Sequence, residues 1–100
     1  MTVLQIKHMK KFSISESQIF KNSATCTVFE YPLHDKDINI AKVILTGRYP
    51  ETGCAVNELC KELVYVLEGF GKVSVNNKIL ELNKGDVVLI EPHEQFYWDG

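Results

Sequence analysis

No stretch of this 100-residue chain approaches the roughly 20 consecutive apolar residues that a membrane-crossing helix needs. A membrane is therefore not an expected partner. Excess positive charge is missing too. The formal net charge is -2, which leaves nothing to draw the chain onto a phosphate backbone. The one basic run, Lys7-His8-Met9-Lys10-Lys11, has no interleaved aromatics and reads as a solvated face, so nucleic acid is not an expected partner either. Cysteine is scarce and odd in number: Cys26, Cys54 and Cys60. Met1 to Lys11 has neither the long apolar core nor the cleavage site of a secretory leader. Together these point to free thiols in a reducing cytoplasm. Cys54 and Cys60 also lack the two-residue spacing of a zinc knuckle. There is no internal repeat, no low-complexity tract and no long helical pattern. The missing alternation of helix with strand argues against a parallel sheet.

What the chain does have is short apolar runs with frequent punctuation. Its length suits one domain spanning 1–100 with a modest core. Glu62-Leu63-Val64-Tyr65-Val66-Leu67-Glu68-Gly69 is rich in residues that favour a pleated, half-buried surface. Gly69 and Gly71 bracket a turn before Lys72-Val73-Ser74-Val75. Asn76-Asn77 then stands where a two-residue hairpin needs positive φ, which Asn tolerates. Asn83-Lys84-Gly85-Asp86 turns the chain again into the apolar run Val87-Val88-Leu89-Ile90. Strands are predicted near 24–31, 38–46, 62–68, 72–75, 78–82, 87–90 and 95–98, with Val3 to Ile6 as a short edge strand. In the run 38–46 both faces are largely apolar, so it is expected to be covered on both sides. Ser13 or Ser15 can cap a turn through Glu16, but Phe12 to Phe20 reads as irregular, Lys21-Asn22-Ser23 as a turn, and Gly47 to Gly53 as a loop. This density of short strands indicates an all-β antiparallel sandwich or barrel with little helix.

From Gly47 onward the chain resembles the cupin superfamily. That family's first motif ends with Glu, six residues and Gly, and Glu62 to Gly69 has this spacing. The second motif begins Gly-Asp and runs through an apolar strand to a proline, as Gly85-Asp86-Val87-Val88-Leu89-Ile90-Glu91-Pro92 does. The resemblance implies a double-stranded β-helix, or jelly-roll barrel. In many cupins the barrel holds a divalent metal on His-x-His, Glu and a later His. Here the first two places fall near Ala55 and Asn57 and the last at Phe96, so only Glu62 matches in type. One carboxylate without imidazoles suits a transition metal poorly, and no cofactor is expected. The alternative is a divalent transition metal on a substitute set drawn from Glu62, Cys60 and His93, with Asn57 nearby.

A pocket lined by Asn57, Cys60, Glu62, Phe96 and Trp98 is the candidate ligand site. A carboxylate on an inward strand face costs several kcal/mol unless it finds a partner. Phe96 and Trp98 share one strand parity, for core packing or for stacking a planar or sugar-like ligand. The expected function is a non-catalytic or weakly metal-dependent barrel that binds a small sugar-like or carboxylate molecule. The alternative is a metal-dependent isomerase or dioxygenase with an atypical ligand set. A metal-free sugar-modifying enzyme ranks behind both, for want of an assignable acid–base pair inside the barrel. In cupins the chain usually continues past the second motif. Here the usual last strand is expected to be missing beyond Gly100, leaving an aromatic-rich edge. A homodimer is the expected remedy, with Thr2 to Ile6 on a neighbour's sheet and Leu63, Tyr65 and Leu67 facing outward.

Overall fold

A computed structural model describes residues 9–100 of the chain. Val3 to Ile6, the edge-covering segment Thr2 to Ile6 and His8 lie outside the described residues. Among the described residues the helical content is one 3-10 turn, Ile14–Glu16. Ser13 closes its start. The Ser13 backbone N–H donates to Glu16 Oε1 at 2.9 Å, and the Glu16 N–H donates to the Ser13 carbonyl at 3.0 Å. Everything else regular is strand.

The chain then forms a three-stranded antiparallel meander: β1 (Gln18–Ser23), β2 (Cys26–Glu30) and β3 (Ala41–Leu45). β1 corrects the sequence expectation, because residues read as irregular and as a turn are strand up to Ser23. The reversal comes at Ala24-Thr25, where the Thr25 N–H donates to Ser23 Oγ at 3.1 Å. Two short strands, β4 (Arg48–Tyr49) and β5 (Ala55–Val56), follow in and beyond the stretch expected to be loop. Next come β6 (Glu62–Tyr65), β7 (Phe70–Val75), β8 (Lys78–Asn83), β9 (Val87–Ile90) and β10 (Gln95–Asp99). From β6 onward these agree closely with the predicted strands. The β7–β8 hairpin turns on Asn76 and Asn77 at φ 48° and 66°, as their position implied.

The barrel has two unequal sides. One is a five-stranded sheet in the order β4-β10-β7-β8, with β5 also paired to β10. The other is the pair β6–β9. Side chains alternate across each strand. Val73, Leu82, Val88, Ile90 and Phe96 point inward and form the buried core, with Ala55, Val66, Val75 and Trp98 packed against them. On the β6–β9 pair the opposite parity faces out, and Leu63, Tyr65, Val87 and Leu89 are all exposed. Leu67 beyond the strand is exposed as well. Where β7 meets β10 the backbones approach closely. A Cβ on Gly71 would meet the Asp99 carbonyl oxygen at 2.6 Å, so only glycine fits there.

The three-stranded meander stands apart from both sides. Hydrogen bonds tie its base to the barrel region: Thr25 Oγ1 donates to the Arg48 carbonyl at 2.8 Å, and the Gly100 N–H donates to the Gly47 carbonyl at 3.1 Å. Cys26 is buried at this junction. Beyond it, Ile19, Phe20, Val43 and Ile44 are exposed, so the double cover expected for the run 38–46 is not supplied among the described residues.

The core is small, so its members carry much of the stability. Ile90 is fully buried, whereas Ile79 on the outer face of β8 is 58% exposed. Ile90→Ala should cost about 2–5 kcal/mol and Ile79→Ala well under ~1 kcal/mol. Urea unfolding followed by circular dichroism measures both.

Candidate functional site

Strand register decides which side chains reach the barrel interior. Glu62 lies opposite Ile90 in the β6–β9 ladder, and Ile90 is fully buried, so Glu62 shares the inward face at the end of its strand. Ala55 lies opposite the buried Phe96, which places β5 on the same inner wall. Asn57 follows two residues on, and its Nδ2 donates to Glu62 Oε1 at 3.4 Å, a long and weak hydrogen bond. Asn57 and Glu62 are both half-buried. Their amide and carboxylate form a polar pair at the mouth of an otherwise apolar interior.

A second layer holds this pair in place. The His93 backbone N–H donates to the Asn57 carbonyl at 2.8 Å, joining the segment after β5 to the turn after β9. The His93 side chain turns outward, with Nδ1 3.3 Å from Glu58 Oε2. Lys61 Nζ sits 3.5 Å from Glu91 Oε2, and Glu94 Oε1 accepts the Glu91 N–H at 2.7 Å. The paired charges are exposed, so each ion pair contributes little to stability. They do give the rim a polar, mostly acidic character.

The aromatic residues lie further along the ladder. Phe96 and Trp98 meet edge to face, with ring centroids 6.1 Å apart and planes at 73°. Phe96 is buried in the core, while Trp98 is half-buried and lies opposite Tyr49 on one side and Val73 on the other. Tyr49 therefore belongs to the same inner wall. Sequence reasoning missed it because a two-residue strand inside a loop-like stretch leaves no periodic signal. On the outer face of this sheet, Arg48 stacks over Tyr97 at 4.0 Å, and its guanidinium donates to the Pro50 and Gly53 carbonyls at 2.6 and 2.9 Å. That clamp orders the loop from which Tyr49 leads.

Of the five candidate pocket residues, the structure brings Asn57 together with Glu62 and Phe96 together with Trp98. β5 links the two pairs. Cys60 is exposed at the rim. Two surface hollows lie elsewhere: one between Phe70–Lys72 and Glu81–Asn83, and one bordered by Glu16, Glu30 and Tyr31–Asp35. Neither includes Asn57 or Glu62.

The metal-ligand places of the resembling barrels can be tested directly. Positions 55 and 96 face inward, and 57 and 62 meet at the mouth, but they carry a methyl group, a phenyl ring, an amide and a carboxylate. Such a set offers one strong oxygen donor and no imidazole, which does not fit a transition metal. His93 pairs with Glu58 and not with Glu62. Among the described residues, no three His, Cys, Asp or Glu side chains converge as a metal site would require.

No protein-family model matches the chain, and no curated protein matches it. Solved structures do. Streptomyces PAC13 in a histidine-to-glutamine variant with uridine is 18% identical, with a TM-score of 0.82 over 93% of this chain and 75% of its own. A tyrosine-to-phenylalanine variant with uridine gives 18%, 0.83, 94% and 75% for the same measures. Pac13, described as a nucleoside dehydratase with a β-barrel, gives 18%, 0.82, 93% and 75%. The likeness shows a shared β-barrel fold. Because it spans more than nine-tenths of this chain, it takes in the three-stranded meander as well as the barrel.

The three thiols separate by environment. Burial pushes the Cys26 thiol above its ordinary value by desolvating the thiolate, while Cys54 and Cys60 are exposed. Ellman's reagent at pH 8 should therefore label two thiols quickly and the third only on unfolding. The sign of the linkage follows from the raised value. Cys26 favours the folded state below the ordinary thiol pKa of about 8.5 and loses that contribution as pH rises further.

Proposed function

We propose that this chain is a small cupin-type barrel that binds a neutral, hydroxyl-bearing molecule of the nucleoside or sugar class at the mouth formed by Asn57 and Glu62, without a transition metal. The observation that carries the reading is that amide–carboxylate pair at the end of an apolar interior. A carboxylate accepts hydrogen bonds from two hydroxyls at once, and the neighbouring amide adds a donor and an acceptor. Adjacent hydroxyls of a furanose match that arrangement. A carboxylate ligand fits less well, because Glu58, Glu62, Glu91 and Glu94 gather around the mouth with only Lys61 and a histidine to offset them. The fold shared with proteins solved with uridine supports the nucleoside class in particular.

A catalytic reading rests on one further feature. Removing water from such a ligand requires a base and an acid within reach of adjoining carbons. His93 is a group of that type near the mouth, but its side chain turns outward to Glu58, so binding is the better supported reading. The metal-dependent isomerase or dioxygenase alternative is less well supported, given the donor set.

Titration calorimetry with uridine, and separately with uracil, tests the binding reading. Uridine should bind and uracil should not, because the hydroxyls are the recognised group. Glu62→Gln should weaken uridine by about 10- to 100-fold, the loss of a charge-assisted hydrogen bond worth ~1.5–3 kcal/mol. No binding of uridine or of simple pentoses, or stoichiometric metal that leaves on Glu62→Gln, would count against the proposal.

A further inference from the structure

One large apolar side chain of the barrel is exposed for no reason that the strands supply. Leu59 is 95% exposed, more than any other large apolar residue from β4 onward. The outward members of β6 and β9 are exposed because the pleat fixes their direction. Leu59 lies in no strand. It sits in the five-residue connection 57–61, between the end of β5 at Val56 and the start of β6 at Glu62.

That connection carries the proposed site at its two ends. Asn57 begins it, Glu62 follows it, and their side chains meet at 3.4 Å. Leu59 is two residues from one and three from the other, so its Cα lies within about 11 Å of both Cα atoms. A leucine side chain at that distance reaches a molecule of nucleoside size held on the pair. The connection is fixed at its base, where the His93 N–H donates to the Asn57 carbonyl at 2.8 Å. Beyond the base it is joined to the turn after β9 by the exposed ion pairs Glu58–His93 and Lys61–Glu91, at 3.3 and 3.5 Å. Leu59 itself makes no hydrogen bond among the described residues. A segment with so few contacts and such exposed ties moves at low cost.

We infer that Leu59 folds over the ligand held by Asn57 and Glu62 and covers a planar ring, so that the ligand of this mouth is a nucleoside and not a free sugar. The inference rests on the hydroxyl-binding reading of that mouth. The groups of the rim divide the ligand by chemistry. Asn57 and Glu62 take hydroxyls. Glu58, Glu91 and Glu94 offer nothing to an apolar ring face, and Leu59 does. A free sugar carries hydroxyls around its ring and gains little from a leucine. A nucleoside base presents a flat face, and closing Leu59 on it removes apolar surface from water on both sides. The movement costs little, because Leu59 leaves no packed contact behind and the ion pairs of its neighbours are weak. Cys60, exposed on the same connection, is carried with it.

Titration calorimetry with uridine and with methyl β-D-ribofuranoside separates the cover from the hydroxyl site. The parent chain should prefer uridine roughly 10-fold, the part of a leucine burial that one ring face supplies. Leu59→Ser should keep the fold by circular dichroism, since the side chain is almost wholly exposed. It should hold the riboside affinity and lose most of the preference for uridine. Cys60 reports the movement. In a Cys54→Ser background, saturating uridine should slow Ellman labelling of Cys60 severalfold, saturating riboside should not, and Leu59→Ser should remove the protection. Equal affinities for the two ligands in the parent, a uridine preference that survives Leu59→Ser, or a Cys60 rate that uridine leaves unchanged would overturn the cover and leave the hydroxyl site standing. Failure of both ligands to bind would instead remove the hydroxyl site, and the cover with it.

Discussion

The pleat of the β6–β9 pair is the constraint on which the rest of the structure depends. Successive side chains in a strand point to opposite faces, and in this pair both faces carry bulk. Val88 and Ile90 go inward and complete the core with Val73, Leu82 and Phe96. Val87 and Leu89 must then go outward, together with Leu63 and Tyr65. A shift of one residue would exchange the two sets and also move Glu62 from the barrel mouth to the exterior. Core, site and outer surface are therefore set by one register.

The same constraint explains the kind of site the barrel can offer. Positions 55 and 96 are inward by pairing, and 57 meets 62 across the mouth. The barrel scaffold presents those places whatever residues occupy them, and the residues decide the chemistry. With a methyl group and a phenyl ring at two of them, the interior is apolar. Polarity is pushed to the end of the barrel, where the amide–carboxylate pair faces solvent and a ring of acidic groups. The proposed recognition of hydroxyls rests on that arrangement. His93 lies at the rim with its side chain against Glu58.

The exposed apolar faces go with the small size of the core. Among the described residues, six hydrophobic side chains are buried, one of them Cys26 at the meander's base. That is few for a chain of this length, because small domains bury a smaller share of their surface. The residues that would enlarge the core are instead distributed over the meander and the outside of β6–β9.

Much of the fold is legible in the amino-acid sequence, and the reason is local. β7, β8, β9 and β10 are bounded by turn residues whose backbone preferences act within a few positions: Asn76 and Asn77 at positive φ, Gly85 at φ 90°, and Pro92 after Ile90. Glu62 is legible as a site residue because a charge in an alternating apolar strand has to be accounted for. β1 is not legible, since Gln18–Ser23 is largely polar and is strand only because β2 pairs with it. Nor is Tyr49, whose inward position depends on Trp98, far away in sequence. The outward parity of Leu63 and Tyr65 can be read from the sequence, but not that both stay exposed. Alternation along a strand is a property of neighbouring residues, so the sequence by itself determined which faces are apolar. Which faces meet, and which stay open, was decided only by long-range pairing in the tertiary structure.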